Sequence, residues 1–157
     1  MNSILIAECY FDTLIIEILT GNFGWTKGRD YWHVEGTKVF TSMKERANND
    51  KGITVGFFDK NKKLYENKYI NSFENEREEN GIQWLKNPNK ANQHIFYLKD
   101  GAEEWFLETT KSAALSPLTY NVSENIIEFK KKTKKLAIEK DNELYQLVKA
   151  VIGKNPP

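Results

Sequence analysis

The sequence predicts an α/β fold, in which a mainly parallel β-sheet is flanked by helices. Two almost entirely apolar segments, Ile4–Ala7 and residues 53–58, indicate strands that helices cover on both faces. A segment with the 3.6-residue period of an amphipathic helix follows the first strand, and another precedes the second. This alternation is typical of parallel sheets, so we expect both strands to lie in one sheet.

The composition is that of one globular domain. Of the 157 residues, 39% are hydrophobic and 29% are charged, and the chain is short for two independent cores. Because the formal net charge is only +1, affinity for nucleic acid would have to come from local clusters of lysine. The single Cys9 cannot form an internal disulfide, no basic and apolar leader opens the sequence, and no apolar run reaches the roughly 20 residues of a membrane-spanning helix. We therefore expect a cytoplasmic protein without a membrane partner.

The first strand leads into a helix through a short turn that carries Glu8. Apolar side chains of this helix recur at intervals of three and four residues, and Gly21 supplies a stop. They are Phe11, Leu14, Ile15, Ile18 and Leu19. The opening stretch is therefore predicted to be a β-turn-α unit.

The next segment, residues 22–34, mixes glycine with aromatic side chains and predicts a loop with at most a short strand. A second helix begins near Gly36 and ends at residues 48–50. Its apolar face is formed by Val39, Phe40, Met43 and Ala47. The second strand, residues 53–58, follows and ends at Asp59.

The middle of the chain has a β pattern without helices. The pair Asn80 and Gly81 predicts a type I′ hairpin turn between segments 70–76 and 82–86. A further strand covers residues 94–98. The hairpin is therefore an excursion from the parallel sheet.

A third helix is predicted after Gly101. Its inward side chains are Ala102, Trp105, Phe106 and Thr109. Glu103, Glu104 and Glu108 are expected on its surface, with Glu104 in its first turn.

The last two helices form a C-terminal helical extension. Ser123 is a suitable N-cap for the first of them, which carries apolar side chains as far as Leu136, and Gly153 ends the second. The apolar face of the second is formed by Leu144, Leu147, Val148, Val151 and Ile152. We assign residues 1–114 to the α/β domain and residues 115–157 to an extension packed on it.

Both central strands end on an acid, Glu8 after the first and Asp59 after the second. In an open α/β sheet the loops at the C-terminal ends of the strands form the ligand crevice, so we expect these acids and Glu104 to meet there. Carboxylates at one edge repel each other unless a cation lies between them, and oxygen ligands suit Mg²⁺. A Mg²⁺ ion held in this way can bind a phosphodiester and stabilise its attacking and leaving oxygens.

These features resemble a known family. The strand that ends in Glu8, the helix that begins near Asp12 and the later strand that ends in Asp59-Lys60-Asn61 are similar to the Toprim domain of topoisomerases, bacterial primases and certain nucleases. The likeness follows the order of elements over about the first 110 residues. It extends to small bacterial Toprim-like proteins in which a helix with an acid follows the late strand.

The resemblance implies a site and its chemistry. Glu8 would take part in proton transfer, beside Mg²⁺ or Mn²⁺. The metal ligands that it implies are Glu8, Asp59, Asn61 and Glu104. Cys9 stands in place of the family's glycine and Asn61 in place of its second aspartate, and an asparagine ligates Mg²⁺ through a neutral carbonyl.

Two functions of different classes follow. The first is a Mg²⁺-dependent nuclease or related phosphodiester-acting enzyme, with Glu8 and Asp59 as catalytic residues, and by analogy such a nuclease suits phage defence or RNA processing. Four basic residues would attract phosphates, namely Lys27, Arg29, Lys60 and Lys62. The second is a Toprim-like module whose metal site has decayed at Asn61 and which binds DNA, RNA or a partner protein. A third is a purely structural α/β protein, in which Glu8 and Asp59 point apart.

Several residues have a structural interpretation beside a functional one. Glu8 and Asp59, taken singly, are common capping and turn residues. Trp25, Tyr31 and Trp32 could stack on bases, but aromatic side chains in a small domain more often pack in its core. We favour packing for these three.

The remaining polar candidates are also expected to be structural. The lysine-rich segment 130–135 favours a solvated helix face, with contact to a phosphate backbone as the alternative. His33 and His94 lack the spacing of zinc ligands. Cys9 is expected to be a small buried thiol and not a nucleophile.

Overall fold

The computed structural model describes residues 3–36, 38–49, 52–59, 67–135 and 138–154, and within them it shows an α/β fold with six strands and five α-helices. The strands are β1 (Ile4–Ala7), β2 (Tyr31–His33), β3 (Thr54–Phe58), β4 (Glu74–Glu79), β5 (Ile82–Lys86) and β6 (Gln93–Leu98). The helices are α1 (Tyr10–Thr20), α2 (Lys38–Asn48), α3 (Ala102–Ser112), α4 (Ile126–Thr133) and α5 (Asn142–Gly153). None of these helices is long and apolar enough to cross a membrane.

The strands form one mainly parallel sheet in the order β2-β1-β3-β6-β5-β4. β1 pairs in parallel with β2 and β3, and β3 pairs in parallel with β6. β4 and β5 form the expected hairpin and join the sheet through antiparallel pairing of β5 with β6. The predicted bounds of its first strand are wrong, since Ile70–Ser72 is a 3₁₀ helix and β4 begins only at Glu74. The predicted α/β class with a mainly parallel sheet is confirmed, and the four parallel strands share one C-terminal edge.

Buried aromatic side chains join the helices to the two faces of the sheet. On one face, Phe40 of α2 stacks on Phe58 of β3, with 4.6 Å between ring centroids. On the other face, Phe11 of α1 meets Phe106 of α3 at 5.3 Å and Phe129 of α4 at 5.5 Å, both edge to face. Such pairs contribute roughly 0.5–1.5 kcal/mol each beyond their burial. α4 therefore shares a core with α1 and α3, and α5 packs in the same cluster.

A capping box starts α1 immediately after Glu8. The N–H of Asp12 donates to Cys9 Sγ, and the N–H of Cys9 donates to Asp12 Oδ2, both at 3.3 Å. The hydroxyl of Thr13 donates to the Cys9 carbonyl at 2.8 Å. Because these bonds satisfy donors at the helix N-terminus, they hold the turn between β1 and α1 in place.

The Asn80-Gly81 turn closes the hairpin as predicted. Asn80 has φ of 50° and Gly81 has φ of 77°, the two positive values that a type I′ turn requires. The indole N–H of Trp105 donates to the Asn80 carbonyl at 3.0 Å. α3 is therefore fastened to the tip of the hairpin.

Gly81→Ala is expected to lower the free energy of unfolding by about 1–2 kcal/mol, since a Cβ is disfavoured by that amount at positive φ. Gly21→Ala is the matched control, because Gly21 has φ of −54° and an added Cβ would meet nothing within 4 Å. We expect this control to stabilise the protein by less than about 1 kcal/mol. Urea unfolding of both variants measures the difference, and equal losses would contradict the turn assignment.

Three details of the predicted helices are wrong. Glu103 is buried, at 7% exposure, and not on the surface of α3. The N-cap of α4 is Asn125 and not Ser123, since the side-chain Oδ1 of Asn125 accepts hydrogen bonds from the backbone N–H groups of Ile127 and Glu128. α4 ends at Thr133, before Leu136, which lies outside the described residues. Each difference arises from contacts that periodicity does not encode.

Candidate functional site

Glu8 and Asp59 emerge side by side at the C-terminal edge of the sheet. Ala7, the last residue of β1, is paired with Phe57 of β3. Glu8 therefore lies opposite Phe58, and Asp59 comes one residue later. Because paired strands lie about 4.8 Å apart, the two acids leave adjacent strands at nearly the same level.

Asp59 is half-buried and bonded to the start of α3. Its Oδ2 accepts a hydrogen bond of 3.2 Å from the N–H of Ala102, the first residue of that helix. Burial raises the pKa of Asp59, this hydrogen bond lowers it, and the charges of Glu103 and Glu104 raise it further. A helix N-terminus favours a carboxylate, whereas the neighbouring acids oppose it. The carboxyl is therefore held in a position where a nearby cation would stabilise its charged form.

Asp12 is a third carboxyl at this edge, and it was not assigned to the site from the sequence. Its side chain is 0% exposed, and its Oδ1 has no hydrogen-bond partner within the described part of the chain. Burial raises the pKa of Asp12 well above its ordinary value, the charges of Asp59 and Glu8 raise it further, and hydrogen bonds with Cys9 lower it. Buried polar groups are usually satisfied, and exceptions cluster at functional sites.

One sequence signal could have identified Asp12. It follows Phe11 directly in a helix whose neighbouring positions are apolar, and it lies one helical turn after the turn that carries Glu8. A carboxyl on the inward side of a helix is unusual unless it is paired. The helical capping role of Asp12 hides this signal, because acids are common in first turns.

Cys9 caps α1 and is not an activated nucleophile. Burial raises the pKa of the Cys9 thiol well above its ordinary value, and the charge of Asp12 raises it further. Since the thiolate is the reactive form, this shift suppresses the reactive form of Cys9 at neutral pH. This agrees with the expectation that Cys9 is structural.

Glu104 lies at the same edge, but its carboxylate already forms an ion pair with a lysine of the protein. The ammonium of Lys130, on α4, forms an ion pair with Glu104 Oε1. Next to it, the hydroxyl of Thr133 donates to Glu103 Oε1 at 2.6 Å. Both contacts fasten α4 to the first turn of α3. The acid expected to bind metal thus has a lysine as its partner.

A cavity of about 340 Å³ adjoins this cluster. Its lining includes Cys9 and Tyr10 at the start of α1, Asp59 just after β3 and Glu103 of α3. On the opposite wall lie Lys130 and Thr133 of α4 and Lys134 at its C-cap. The cavity therefore combines acids at the sheet edge with two lysines on the facing helix. It can accommodate an anionic group only if its acids are also neutralised.

Two of the predicted phosphate contacts lie elsewhere. The backbone of Lys27 forms an isolated β-bridge with Tyr31, the first residue of β2. Arg29 forms an ion pair of 2.7 Å with Asp30, just before that strand. β2 runs parallel to β1, so its start lies at the end of the sheet opposite to Glu8. Lys27 and Arg29 are therefore not brought to the acidic edge.

The aromatic side chains near Lys27 serve packing, as favoured from the sequence. Tyr31 is 3% exposed and belongs to a core cluster with which Trp25 is in contact. Trp32 packs on the core beneath α2, and its indole N–H donates to the Gly28 carbonyl at 3.0 Å. They offer no stacking platform beside the acids.

His33 reaches the acidic edge at the end of β2, paired with Ala7. Its ring stacks on Tyr10 with 4.3 Å between centroids, and its Nδ1 lies 3.1 Å from the hydroxyl of Thr13. These contacts orient Tyr10, which lines the cavity. The ring of His33 therefore supports the wall of the site.

The acids at this edge carry carboxylate oxygens, the donor type that Mg²⁺ takes. Lys60, Asn61 and Lys62 lie outside the described residues, and among the described ones no group of three or more His, Cys, Asp or Glu is arranged to hold a metal. Mg²⁺ often uses only one or two carboxylates and takes its other ligands from water and phosphate. Glu8 and Asp59 follow the ends of adjacent strands, and the charges of both act on the buried Asp12.

Comparisons with protein families, with curated proteins and with solved structures found no match for the chain.

Proposed function

We propose that this protein is a divalent-metal-dependent enzyme that cleaves phosphodiester bonds of nucleic acid, a nuclease of Toprim type. The observation that carries the proposal is the parallel register of β1 and β3, which delivers Glu8 and Asp59 to adjacent strand ends. Asp12 supports it, because burial and two neighbouring acids disfavour the charged form of this carboxyl, and a bound cation would favour that form.

Each residue has a role in this proposal. Glu8 and Asp59 would hold the metal, with Asn61 as a neutral oxygen ligand, and Glu8 would also accept a proton from the attacking water. The bound metal supplies a Lewis acid that offsets the charge of the phosphate. The N–H of Ala102 orients the Asp59 carboxylate. Lys134, on the facing wall of the cavity, contacts a phosphate of the bound strand.

Metal binding and cleavage test the proposal directly. Calorimetric titration with Mg²⁺ and Mn²⁺ is expected to show binding, and metal at about 100 times its Kd is expected to stabilise the fold by about 2.7 kcal/mol. Labelled single- and double-stranded DNA and RNA are then incubated with each metal and with EDTA. We expect cleavage of at least one polymer and its loss in EDTA. Absence of both binding and cleavage would overturn the proposal.

A second candidate is a Toprim-like binding module without catalysis. The ion pair between Lys130 and Glu104 favours it, because that pair engages one of the predicted ligands. Asn61→Asp separates the two candidates. If the wild-type protein neither binds metal nor cleaves nucleic acid and Asn61→Asp gains both, the native protein is the binding module. If the wild-type protein already cleaves, the second candidate is wrong.

A further inference from the structure

Lys130 is a cation that lies against the acids at the C-terminal edge of the sheet. Its ammonium is bonded to Glu104 Oε1, and that bond raises the pKa of Lys130. The charges of Glu103 and Asp59 also raise it, which places both acids within electrostatic reach of the ammonium. One lysine thus faces three carboxyls.

The surroundings keep Lys130 at this position. Phe129, the preceding residue, is buried between Phe11 and Phe106, so α4 is anchored in the core. Thr133, one turn later, is bonded to Glu103. The side chain of Lys130 is nevertheless 36% exposed, and it lines the cavity. The position of Lys130 on α4 is therefore fixed, while its ammonium remains accessible enough to exchange Glu104 for another partner.

A divalent ion at Asp59 and a lysine at Glu104 repel each other. Two positive charges at neighbouring carboxyls interact with an energy that depends on their distance and on screening by solvent, and partial burial weakens that screening. A metal that recruits Glu104 as a ligand must also replace the ammonium at that carboxylate. Metal binding and the ion pair therefore oppose each other.

We propose that Lys130 is the resident cation of this acidic site and that a divalent metal binds in competition with it, releasing the ammonium from Glu104. The inference rests on the proposed function, since it takes Asp59 as a metal ligand. It adds that α4 responds to metal: when the metal binds, the Lys130 ammonium leaves Glu104 for the cavity, on the side where Lys134 also lies.

Lys130→Met tests the competition, because methionine keeps the apolar stem and removes the charge. We expect the affinity for Mg²⁺ and Mn²⁺, measured by calorimetry, to rise about tenfold, which corresponds to about 1.4 kcal/mol. Lys131→Met is the matched control. Lys131 is exposed on the same helix and takes part in none of the ion pairs seen among the described residues, whereas Lys132 pairs with Asp141 and Glu143.

The outcomes separate this inference from the proposed function. Unchanged or weaker metal binding by Lys130→Met, with binding by the wild type, overturns the competition and leaves the proposed function standing. Binding by Lys130→Met alone supports the competition and overturns metal-dependent function of the native protein. No binding by either protein overturns both. A purely structural lysine would change the melting temperature without changing metal affinity.

A measurement on the unmodified protein covers the case in which Lys130→Met fails to fold. Lysines of the wild type are acetylated with and without saturating Mn²⁺, and the modified residues are identified by mass spectrometry. We expect Mn²⁺ to increase modification of Lys130 at least about threefold relative to Lys131. Unchanged or reduced labelling of Lys130 under saturating metal would overturn the competition.

Discussion

Glu8→Gln is expected to lower the rate of metal-dependent phosphodiester cleavage by about 10²–10⁴-fold, the range that a lost general base produces. Glutamine keeps the shape and the acceptor oxygen of Glu8 but loses its charge and its capacity to take a proton at neutral pH. Asp59→Asn is expected to have an effect of similar size, because it removes a charged ligand while an oxygen remains for the Ala102 N–H. Initial rates with saturating Mn²⁺ measure both effects.

The matched control for these two variants is Asp100→Asn. Asp100 is exposed and follows β6, a strand that ends at the same edge of the sheet. The control loses the same charge in the same region, and we expect its cleavage rate to remain within about twofold of wild type. A loss as large as that of Asp59→Asn would show that overall charge, and not the paired strand ends, supports cleavage. Full activity of Glu8→Gln would remove Glu8 from the site.

Asp12→Asn is expected to stabilise the protein while impairing its metal binding. The fully buried Asp12 faces two acids, and no described group neutralises it. Asparagine keeps an oxygen for the Cys9 N–H and removes the buried charge. We expect a gain of about 1–3 kcal/mol in the free energy of unfolding at neutral pH, because the charged form of Asp12 carries a desolvation cost in the folded state that neutral asparagine does not. A gain in stability with a loss of function is typical of residues retained for activity.

The pH dependence of this gain follows from the sign of the shift. Because the pKa of Asp12 is higher in the folded than in the unfolded state, the folded wild type binds the proton more tightly. Its stability therefore falls, relative to Asp12→Asn, as the pH rises from the unfolded-state pKa of about 4 through the folded-state pKa. Below that window both proteins carry a neutral side chain, and the difference should be small.

Melting temperatures of the two proteins across this pH range check the prediction. Both proteins contain the same titratable groups facing position 12, namely Glu8, Cys9 and Asp59. The contributions of these groups to the pH dependence of stability therefore largely cancel in the comparison. Exposed Asp100→Asn serves again as the control, with a change below about 0.5 kcal/mol at every pH. A difference that does not grow with pH, or a less stable Asp12→Asn, would contradict the account of a costly buried charge.

The elements of the sheet were predictable because their signals are local. The apolar run of β1, the helical period of α1 and the Asn80-Gly81 turn are each determined within about ten residues of chain. That Glu8 and Asp59 follow strands ending at one edge was also predictable, since parallel strands of one sheet end together. In the structure β1 and β3 pair in parallel as neighbours, so the two acids follow adjacent strand ends.

The basic side of the site was not predictable in the same way. Lys27 and Arg29 are close to other candidates in sequence, but they precede an edge strand and so lie at the wrong end of it. Lys130 and Lys134 belong to a segment that looks like a solvated helix face, yet they line the cavity. Polar composition does not show which side of a short helix faces an acid on another element.

The sequence by itself determined the fold class, the strand ends and the pair of acids, because hydrophobic periodicity and turn residues act over short distances. Only the tertiary structure decided the burial of those acids and their hydrogen-bond and ion-pair partners. Lys130 is 26 positions from Glu104, and Asp59 is 43 from Ala102, so these contacts exist only once α3 and α4 have packed on the sheet. The burial of Asp12 likewise depends on elements distant in the chain. Charge interactions and desolvation are set by these packed neighbours, which no local pattern specifies.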